Sequence, residues 1–323
     1  MFCTSIGKSE MVCFSHPLDW MINPIYVQET GRLSGSDSMG TIIKIVDLVK
    51  KYGDKVAVNG ISFDVEEGEL FGFLGPNGAG KTTTVRCIST LTNITSGEVY
   101  VNGVNVVKDQ IKAKQYMGVI QQAVSLDKDL TIKENMISHA MYHGMGKKER
   151  EERIKDLSDY FGLEEYLNKP VDSLSGGWKK RAAIVCAMLH QPKVLFLDEP
   201  TSGLDINARR LLWDVVKKLN QRGTTIILTT HYIEEAQALC DRVGIIDHGK
   251  IIAMDKPMSL IEQTGKTAVE YMVDEKTQYK YFHSLEDAQK FVSESGYEDV
   301  TIRKTNLEDV FVELTGKSVG DQK

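Results

Sequence analysis

The chain has 323 residues, of which 41% are apolar and 26% are charged, and its formal net charge is −6. This composition is typical of a globular protein with one large domain and a smaller addition. The acidic balance disfavours a nucleic-acid partner, because such partners require a basic face. The five cysteines form no CxxC pair, which disfavours a zinc site or a disulfide framework and favours a reducing cytosol.

The most apolar stretches are short, and none approaches the ~20 residues that a bilayer-spanning helix needs. The first residues also lack the pattern of a signal peptide. If the protein serves a membrane, we therefore expect another chain to supply the pore.

Residues 1–38 differ from the rest of the chain. They show no sustained period of 2 or 3.6, and they end in a cluster of Gly, Ser and Asp. The pattern predicts a disordered N-terminal extension. Regular patterning begins directly after Met39, so we also expect the natural start to be Met39, which the intact mass of the native protein would test.

From residue 41 onward the sequence alternates between strand and helix patterns. "TIIKIVDLVKKYG", the two halves of "GISFDVEEGELFGFLG", "GEVYVNGVNV" and "YMGVIQQ" are predicted strands. Residues 125–170 have helical spacing and many charges, while "KVLFLDEP" and "TTIILTTH" are predicted buried strands. Continuous apolar runs that alternate with helices indicate an α/β fold, with a parallel sheet covered on both faces.

The last seventy residues change character and predict a small α+β unit. Strands are predicted in "TAVEYMVDE", "YKYFH" and "DVTIRK". A helix should begin at Ser284 and end at Gly296, with an apolar face of Leu285, Ala288, Phe291 and Val292.

A second C-terminal helix is predicted in "TNLEDVFVELTG". Thr305 and Glu308 have the spacing of a capping box, and Gly316 stands at the C-cap position. The apolar face of this helix should consist of Leu307, Val310, Phe311 and Leu314.

A phosphate-binding loop is the clearest motif. Residues 75–82 fit G-x-x-x-x-G-K-[ST] between an apolar strand and a helix, and we call them the P-loop. Backbone N–H groups of such a loop surround phosphate oxygens, Lys81 would reach the β- and γ-phosphates, and the Thr82 hydroxyl would bind Mg²⁺. The predicted nucleotide-binding residues here are Gly75, Pro76, Asn77, Gly78, Ala79, Gly80, Lys81, Thr82 and Thr83.

An acidic pair follows the buried strand "KVLFLDEP". Asp198 stands at the C-terminal end of this strand, the edge at which open α/β sheets bind ligands. We expect Asp198 to hold Mg²⁺, through water. Glu199 comes next and should point elsewhere on an extended chain, which makes it the candidate general base for an attacking water.

A second glycine turn occurs in "SLSGGWKKRAAIVCAML". Ser175, Gly176 and Gly177, which we call the signature turn, precede a predicted helix, and a helix N-terminus binds anions. A plain capping turn is the alternative for this stretch taken alone.

The ordered set of P-loop, signature turn, acidic pair, "SGLD" and strand-end histidine resembles the nucleotide-binding subunit of ATP-binding cassette (ABC) transporters over most of residues 41–255. The resemblance implies a P-loop NTPase fold with a mixed sheet core over residues 39–255. It also implies a helical subdomain of about residues 125–190, followed by the α+β unit of 256–323.

The resemblance also explains why one chain carries two phosphate sites. In this family two nucleotide domains pair head to tail, and the signature turn of one covers the γ-phosphate that the other holds. Ser175, Gly176 and Gly177 would therefore act in trans, and the chain would dimerise with itself or with a paralogue. The implied ligands are ATP and Mg²⁺.

Further positions match the family one by one. Tyr52 matches the aromatic residue that stacks on adenine. Gln122 matches the glutamine that touches Mg²⁺ and the water, with Gln121 as a neighbouring alternative. The loop of residues 202–205 matches the segment that crosses the dimer interface, and His231 matches the histidine that hydrogen-bonds the γ-phosphate. Trp178 departs from the family's usual glutamine, whose paired donor and acceptor it lacks.

The resulting hypothesis is ATP hydrolysis, with Glu199, His231, Lys81 and Gln122 as catalytic residues and Thr82, Gln122 and Asp198 at Mg²⁺. "TNLEDVFVELTG" is similar to the end of the branch that exports drugs, ions or lipids through a separate membrane permease. We thus expect a peripheral subunit at the cytoplasmic face of the membrane. An importer ATPase is the nearer alternative, and a soluble ABC ATPase acting on nucleic acid or ribosomes is the more distant one.

Overall fold

The computed structural model describes residues 2–6, 10–14, 40–273, 276–297 and 299–316. Within the N-terminal extension, β1 (Phe2–Ile6) and β2 (Glu10–Phe14) pair as antiparallel strands. Most of residues 1–38, and with them the prediction of a disordered tail, lies outside the described residues.

A four-stranded antiparallel sheet forms the first layer, in the order β4-β3-β6-β7. Its strands are β3 (Thr41–Tyr52), β4 (Lys55–Glu66), β6 (Ser96–Val101) and β7 (Val104–Asn105). Alternation explains the strand character of β4, because Ile61, Phe63 and Val65 are buried while the residues between them are exposed. The Phe63 ring stacks on Phe71 of the next layer, with centroids 5.3 Å apart.

A six-stranded mixed sheet forms the centre, in the order β12-β11-β5-β10-β9-β8. Five of its strands run parallel and β12 pairs antiparallel to β11. The strands are β5 (Leu70–Leu74), β8 (Met117–Ile120), β9 (Val194–Asp198), β10 (Thr225–Thr230), β11 (Arg242–Asp247) and β12 (Lys250–Asp255). Every residue of β5, β9 and β10 is buried, as expected of strands covered on both faces. The predicted α/β fold with a mixed sheet is confirmed.

The helices of the main body surround this sheet. They are α1 (Lys81–Ile88), α2 (Gln110–Gln115), α3 (Ile132–Tyr142), α4 (Lys147–Phe161), α5 (Gly176–Ala187), α6 (Ile206–Gln221), α7 (Ile233–Leu239) and α8 (Pro257–Thr264). Helices α3 to α5 lie within the predicted helical subdomain. They bury Met136, Phe161 and Ile184 in one core with Leu195 and Leu197 of β9. Among the described residues, no helix combines the length and the apolar character that a membrane crossing requires.

The C-terminal unit contains a three-stranded antiparallel sheet and two helices. Its elements are β13 (Thr267–Val273), β14 (Lys276–Phe282), α9 (Leu285–Ser295), β15 (Val300–Lys304) and α10 (Leu307–Thr315). Gly296 and Gly316 end the two helices in the left-handed conformation, at φ 69° and 66°. Leu307, Val310 and Phe311 join the core of the main body, so α10 packs on it.

Two sequence-based details of this unit are wrong. The capping box of α10 is formed by Asn306 and Asp309, one residue later than the predicted Thr305 and Glu308. The shift has a physical cause, because the Asp309 carboxylate accepts two hydrogen bonds from Arg303, at 2.7 and 2.8 Å, and that pair fixes Asp309 at the helix start.

The predicted apolar faces of α9 and α10 also extend less far than expected. Leu285 at the start of α9 and Leu314 near the end of α10 are both exposed.

Candidate active site

A cavity of about 520 Å³ opens at the C-terminal edge of the central sheet, next to the P-loop. Its lining includes predicted site residues from segments far apart in the chain, namely Tyr52, Asn77, Gly78, Gly80, Lys81, Thr82, Thr83, Gln122, Glu199 and His231. Parallel strands bring their carboxyl ends to one edge, which explains why these residues meet.

The P-loop connects the buried strand β5 to α1 through a turn that two glycines make possible. A Cβ atom at Gly75 would lie 2.2 Å from the carbonyl oxygen of Ile246. At Gly80 it would lie 2.5 Å from the carbonyl oxygen of Ala57, and Gly80 has φ 113°. Neither position can hold a larger residue without moving the backbone. No side chain caps the N-terminus of α1, which begins directly after Gly80 beside the cavity.

Lys81 is a buried cation whose ammonium group points back along the loop. Its Nζ donates to the carbonyl oxygens of Gly75 and Pro76, at 2.8 and 3.1 Å, and lies 3.5 Å from Oε1 of Glu199. Burial lowers the pKa of Lys81, while the carboxylates of Glu199 and Asp198 act in the opposite direction. A buried positive charge at this place suits a phosphate group.

Asp198 lies at the end of β9 and accepts hydrogen bonds from two threonines. The Oγ1 atoms of Thr82 and Thr229 lie 2.9 and 2.5 Å from Oδ1 of Asp198. A carboxylate and a hydroxyl next to a phosphate-binding loop are the oxygen ligands that Mg²⁺ prefers. Thr229 was not among the predicted site residues; its signal in the sequence was its place near the end of the buried strand "TTIILTTH".

Glu199 has an unusual backbone conformation, and the expectation of an extended chain at this residue is wrong. Its φ is 45°, in the left-handed region. The turn is held because the Glu199 N–H lies 3.0 Å from Oγ1 and 3.1 Å from the carbonyl oxygen of Thr229. Such strain persists where neighbouring contacts fix it, and it is common at functional sites.

The Glu199 carboxylate contacts three other residues that line the cavity. Its Oε1 lies near Lys81, as described above. Its Oε2 accepts a hydrogen bond from Nε2 of Gln122, at 3.3 Å, and lies 3.3 Å from Nδ1 of His231. The contact between His231 and Glu199 does not have the geometry of a hydrogen bond. The buried Nδ1 of His231 therefore has no hydrogen-bond partner among the described residues. Of the two neighbouring glutamines, Gln122 is the one that the structure brings to Glu199.

Tyr52 lies at the mouth of the cavity, at the end of β3. Its ring is 48% exposed, and Nζ of Lys50 lies 4.6 Å from the ring centroid. An exposed aromatic face beside a phosphate loop is suited to stacking on a base.

Lys180 is a site residue that the sequence-based analysis missed. It lies on α5, is buried, and its Nζ donates a short hydrogen bond to the carbonyl oxygen of Gln122. Burial lowers the pKa of Lys180, against the effect of Asp198 and Glu199. Its signal in the sequence was its spacing, because it follows Gly176 by one helical turn and so lies on the same face of α5.

The signature turn lies on a second groove, of about 320 Å³, at α5 and α6. Ser175 and Gly177 line this groove together with Asp205 and Ala208. Ser175 precedes α5 but makes no side-chain capping hydrogen bond, so the alternative of a plain capping turn is not what the structure has. A Cβ atom at Gly177 would lie 3.0 Å from Cβ of Ala208.

Comparison with known proteins decides the family. The profile of the family described as ABC transporter matches residues 58–202. Over 299 residues the chain is 38% identical to the Nod factor export ATP-binding protein I of Sinorhizobium fredii, which covers 86% of this chain and 87% of that protein. This chain belongs to the ABC transporter family.

Other members of the ABC transporter family extend this result. The linearmycin resistance ATP-binding protein of Bacillus subtilis is 41% identical over 224 residues, which are 69% of this chain and 72% of that protein. An ATP-binding cassette solved as a dimer in a post-hydrolysis state, with ADP and Pi bound, has a TM-score of 0.60 and 28% identity. The match covers 66% of this chain and 98% of that one.

Trp178 follows the signature turn at the position where the family usually has glutamine, and it packs against other side chains of the same chain. The indole ring stacks on Tyr166, with centroids 4.0 Å apart and an interplanar angle of 25°. The Arg181 guanidinium lies 5.0 Å from the centroid of the Trp178 ring. Trp178 also lines the groove of the signature turn, so it forms an apolar wall where the family's glutamine would offer polar atoms.

The residues present fit the ligands of an ABC cassette. The cavity has the volume typical of a small-molecule site, and it combines a buried cation, an uncapped helix start and an exposed aromatic ring. Thr82 donates to Asp198, and Gln122 lines the same cavity as Thr82, so a hydroxyl, a carboxylate and an amide oxygen are available as a donor set for Mg²⁺.

Proposed function

We propose that this chain hydrolyses ATP to ADP and phosphate and drives export through a separate membrane permease. The observation that carries the proposal is the convergence of Lys81, Gln122 and His231 on the carboxylate of Glu199, beside the pair of Thr82 and Asp198. A carboxylate in this position can accept a proton from a water that attacks a phosphate held by the P-loop.

The roles follow from charge and place. Lys81 and the N-terminus of α1 would bind the β- and γ-phosphates, and the residues 75–80 would surround them with backbone N–H groups. Thr82, Gln122 and Asp198 would hold Mg²⁺, which neutralises phosphate charge when bound. Tyr52 would stack on adenine at the mouth of the cavity.

Glu199 acts as the general base in this proposal, and its neighbours position it. The left-handed turn fixed by Thr229 aims the carboxylate, and Gln122 donates to Oε2. His231 lies close enough to reach the γ-phosphate side of the cavity, and its buried Nδ1 has no hydrogen-bond partner among the described residues, which leaves it available to a ligand.

The signature turn would act on the ATP of a second subunit. Ser175 and Gly177 line a groove apart from the cavity of the P-loop, and the Ser175 side chain does not cap its own helix. A head-to-tail dimer, of two copies or with a paralogue, would place that hydroxyl and the start of α5 next to the partner's γ-phosphate. Support comes from the similar ATP-binding cassette that was solved as a dimer with ADP and Pi.

Export is favoured over import by the relatives, two of which are named for Nod factor export and linearmycin resistance. The helical subdomain would receive a short helix of the permease, at the cytoplasmic face of the membrane. Met141 and Tyr142, at the end of α3, are 60% and 89% exposed, and such apolar exposure is suited to a partner surface.

Co-purification tests the proposal. We would express tagged Glu199→Gln in native cells, add Mg·ATP, and purify it from detergent-solubilised membranes, with tagged wild type as the control. The expected result is that a multi-span membrane protein co-purifies with the dimerised chain at a molar ratio of about one to one. Recovery of the chain with ribosomes or nucleic acid, or without any membrane protein, would refute the exporter assignment.

A further inference from the structure

Three histidines meet at the junction between the helical subdomain and the central sheet. His139 lies in the last turn of α3, His143 follows directly after that helix, and His190 lies between α5 and β9. One ligand nitrogen from each ring lies within 4.8 Å of the others. The rings of His143 and His190 are parallel, with centroids 3.6 Å apart. The mechanism proposed above uses none of these residues.

The hydrogen bonds of the cluster leave ring nitrogens available. Nε2 of His190 lies 3.0 Å from the carbonyl oxygen of Met117. A carbonyl can only accept, so Nε2 carries the proton and Nδ1 of His190 presents its lone pair. Nδ1 of His190 and Nδ1 of His139 are both buried, and neither has a hydrogen-bond partner among the described residues. Buried polar atoms are normally paired, so two such atoms in one cluster indicate a missing ligand.

We propose that His139, His143 and His190 bind one divalent metal ion of the zinc type. Imidazole nitrogen suits Zn²⁺, Co²⁺, Ni²⁺ and Cu²⁺ and does not suit Mg²⁺, so this site would be chemically distinct from the one at Asp198. The bond from His190 to a backbone carbonyl is the outer-shell contact that metal-binding histidines usually make.

The geometry of the cluster agrees with this assignment. In a tetrahedral site with Zn–N of about 2.0–2.1 Å, ligand nitrogens lie about 3.3 Å apart, so the rings must draw closer. His143 is exposed and can rotate to do so, and its exposed side leaves a fourth position for water.

The surroundings predict a site of moderate affinity. None of the three ligands is an anion, and the nearby Arg153 donates to the carbonyl oxygens of Met188 and Leu189, at 3.2 and 3.3 Å. Its positive charge opposes that of the ion. The ion would join the end of α3 to the segment that leads into β9. Through His190 it would also be linked to Met117 at the start of β8, so it would stabilise the contact between the helical subdomain and the sheet.

Metal titration of the full, tag-free chain tests the proposal. We would add Co²⁺ in the absence of nucleotide and follow its visible absorption, then displace it with Zn²⁺. The expected result is one equivalent with the spectrum of nitrogen-ligated Co²⁺, and a melting temperature that rises with Zn²⁺. In His143→Gln this equivalent should bind at least ~10-fold more weakly, and the Zn²⁺-dependent rise in melting temperature should vanish.

The controls separate ligation from folding and from other histidines. His143 is exposed, so His143→Gln should melt in EDTA at the same temperature as wild type. His283→Gln, also at an exposed histidine, should bind Co²⁺ as wild type does. The proposal is overturned if wild type binds no Co²⁺ with a nitrogen-ligated spectrum, or if His143→Gln and His190→Gln keep the stoichiometry and affinity of wild type.

Discussion

The P-loop cavity and the groove of the signature turn each lie at the start of a helix, α1 and α5, but they differ in what surrounds them. In the cavity, a lysine, a glutamine and a histidine from distant segments converge on Glu199. The groove is lined by residues of α5, α6 and their approaches, and none of the described residues that line it belongs to the P-loop. Under the proposed function, the cavity is a nearly complete active site, and the groove is half of a site that a second chain would complete.

The largest effect should come from the centre of the complete region. Glu199→Gln removes the proton acceptor and keeps the shape of the side chain, so hydrolysis should fall by ~10²–10⁴-fold while ATP still binds. Phosphate release and nucleotide binding measured on the same preparation would check this. Glu151→Gln, at an exposed glutamate of α4, is the matched control and should hydrolyse ATP like wild type. Fast turnover by Glu199→Gln would contradict the assignment of the base.

The groove of the signature turn should show a similar separation of nucleotide binding from turnover. Gly177→Asp places a negative charge at the start of α5 and a side chain 3.0 Å from Cβ of Ala208. We expect hydrolysis to fall by ~10²-fold, as for loss of a charge-stabilising donor, with ATP affinity of the monomer unchanged. Unaltered hydrolysis in this variant would mean that the signature turn takes no part in the reaction.

Lys180 links the two regions within one chain, since it lies on the helix of the signature turn and donates to Gln122 in the cavity. Lys180→Met keeps the length of the side chain but leaves the carbonyl oxygen of Gln122 without this charged donor, at a cost of ~1.5–3 kcal/mol. We expect ~10-fold slower hydrolysis with ATP binding retained. Lys179→Met, at the half-exposed neighbouring residue, should change neither the hydrolysis rate nor ATP binding. Equal hydrolysis rates for the two variants would exclude a positioning role for Lys180.

The smallest effect concerns Glu235, a buried carboxylate that, unlike Glu199, does not line the cavity. Burial raises the pKa of Glu235, although Trp213 Nε1 donates to it at 2.9 Å. Because folding raises the pKa of Glu235, its protonated carboxyl stabilises the folded state below the unfolded-state pKa. This stabilisation is lost as pH rises through the folded-state pKa. The melting temperature of Glu235→Gln relative to wild type should therefore increase by a few degrees between pH 5 and pH 8, which corresponds to ~1 kcal/mol. Glu234→Gln should show no such trend.

Sequence spacing was sufficient for the P-loop and the buried strands, because both are local patterns. It predicted that Lys81, Asp198 and Glu199 would share a site, since each stands at the same end of a parallel strand or just after it. The left-handed turn at Glu199 was not predictable, because it depends on Thr229, which reaches Glu199 through strand pairing.

The remaining errors and omissions have the same origin in contacts between distant segments. Two candidate capping pairs stand one residue apart at the start of α10, and the ion pair of Asp309 with Arg303 selects the second. Lys180 resembled its charged neighbours, and although its spacing from Gly176 indicates a shared helix face, its burial depends on how α5 packs. The histidine cluster joins the H-x-x-x-H spacing of His139 and His143 to His190, which is distant in the sequence.

Mixing two inactive variants tests most directly whether the two regions act across a dimer. Lys81→Ala impairs the P-loop and Gly177→Asp impairs the signature turn, and each variant alone should be nearly inactive. A mixed dimer would pair an intact P-loop from one chain with an intact signature turn from the other. Equal amounts of the two should recover about one quarter of the wild-type rate, since about half of the dimers are mixed and each has one intact site. No recovery in dimers shown to be mixed would contradict the account.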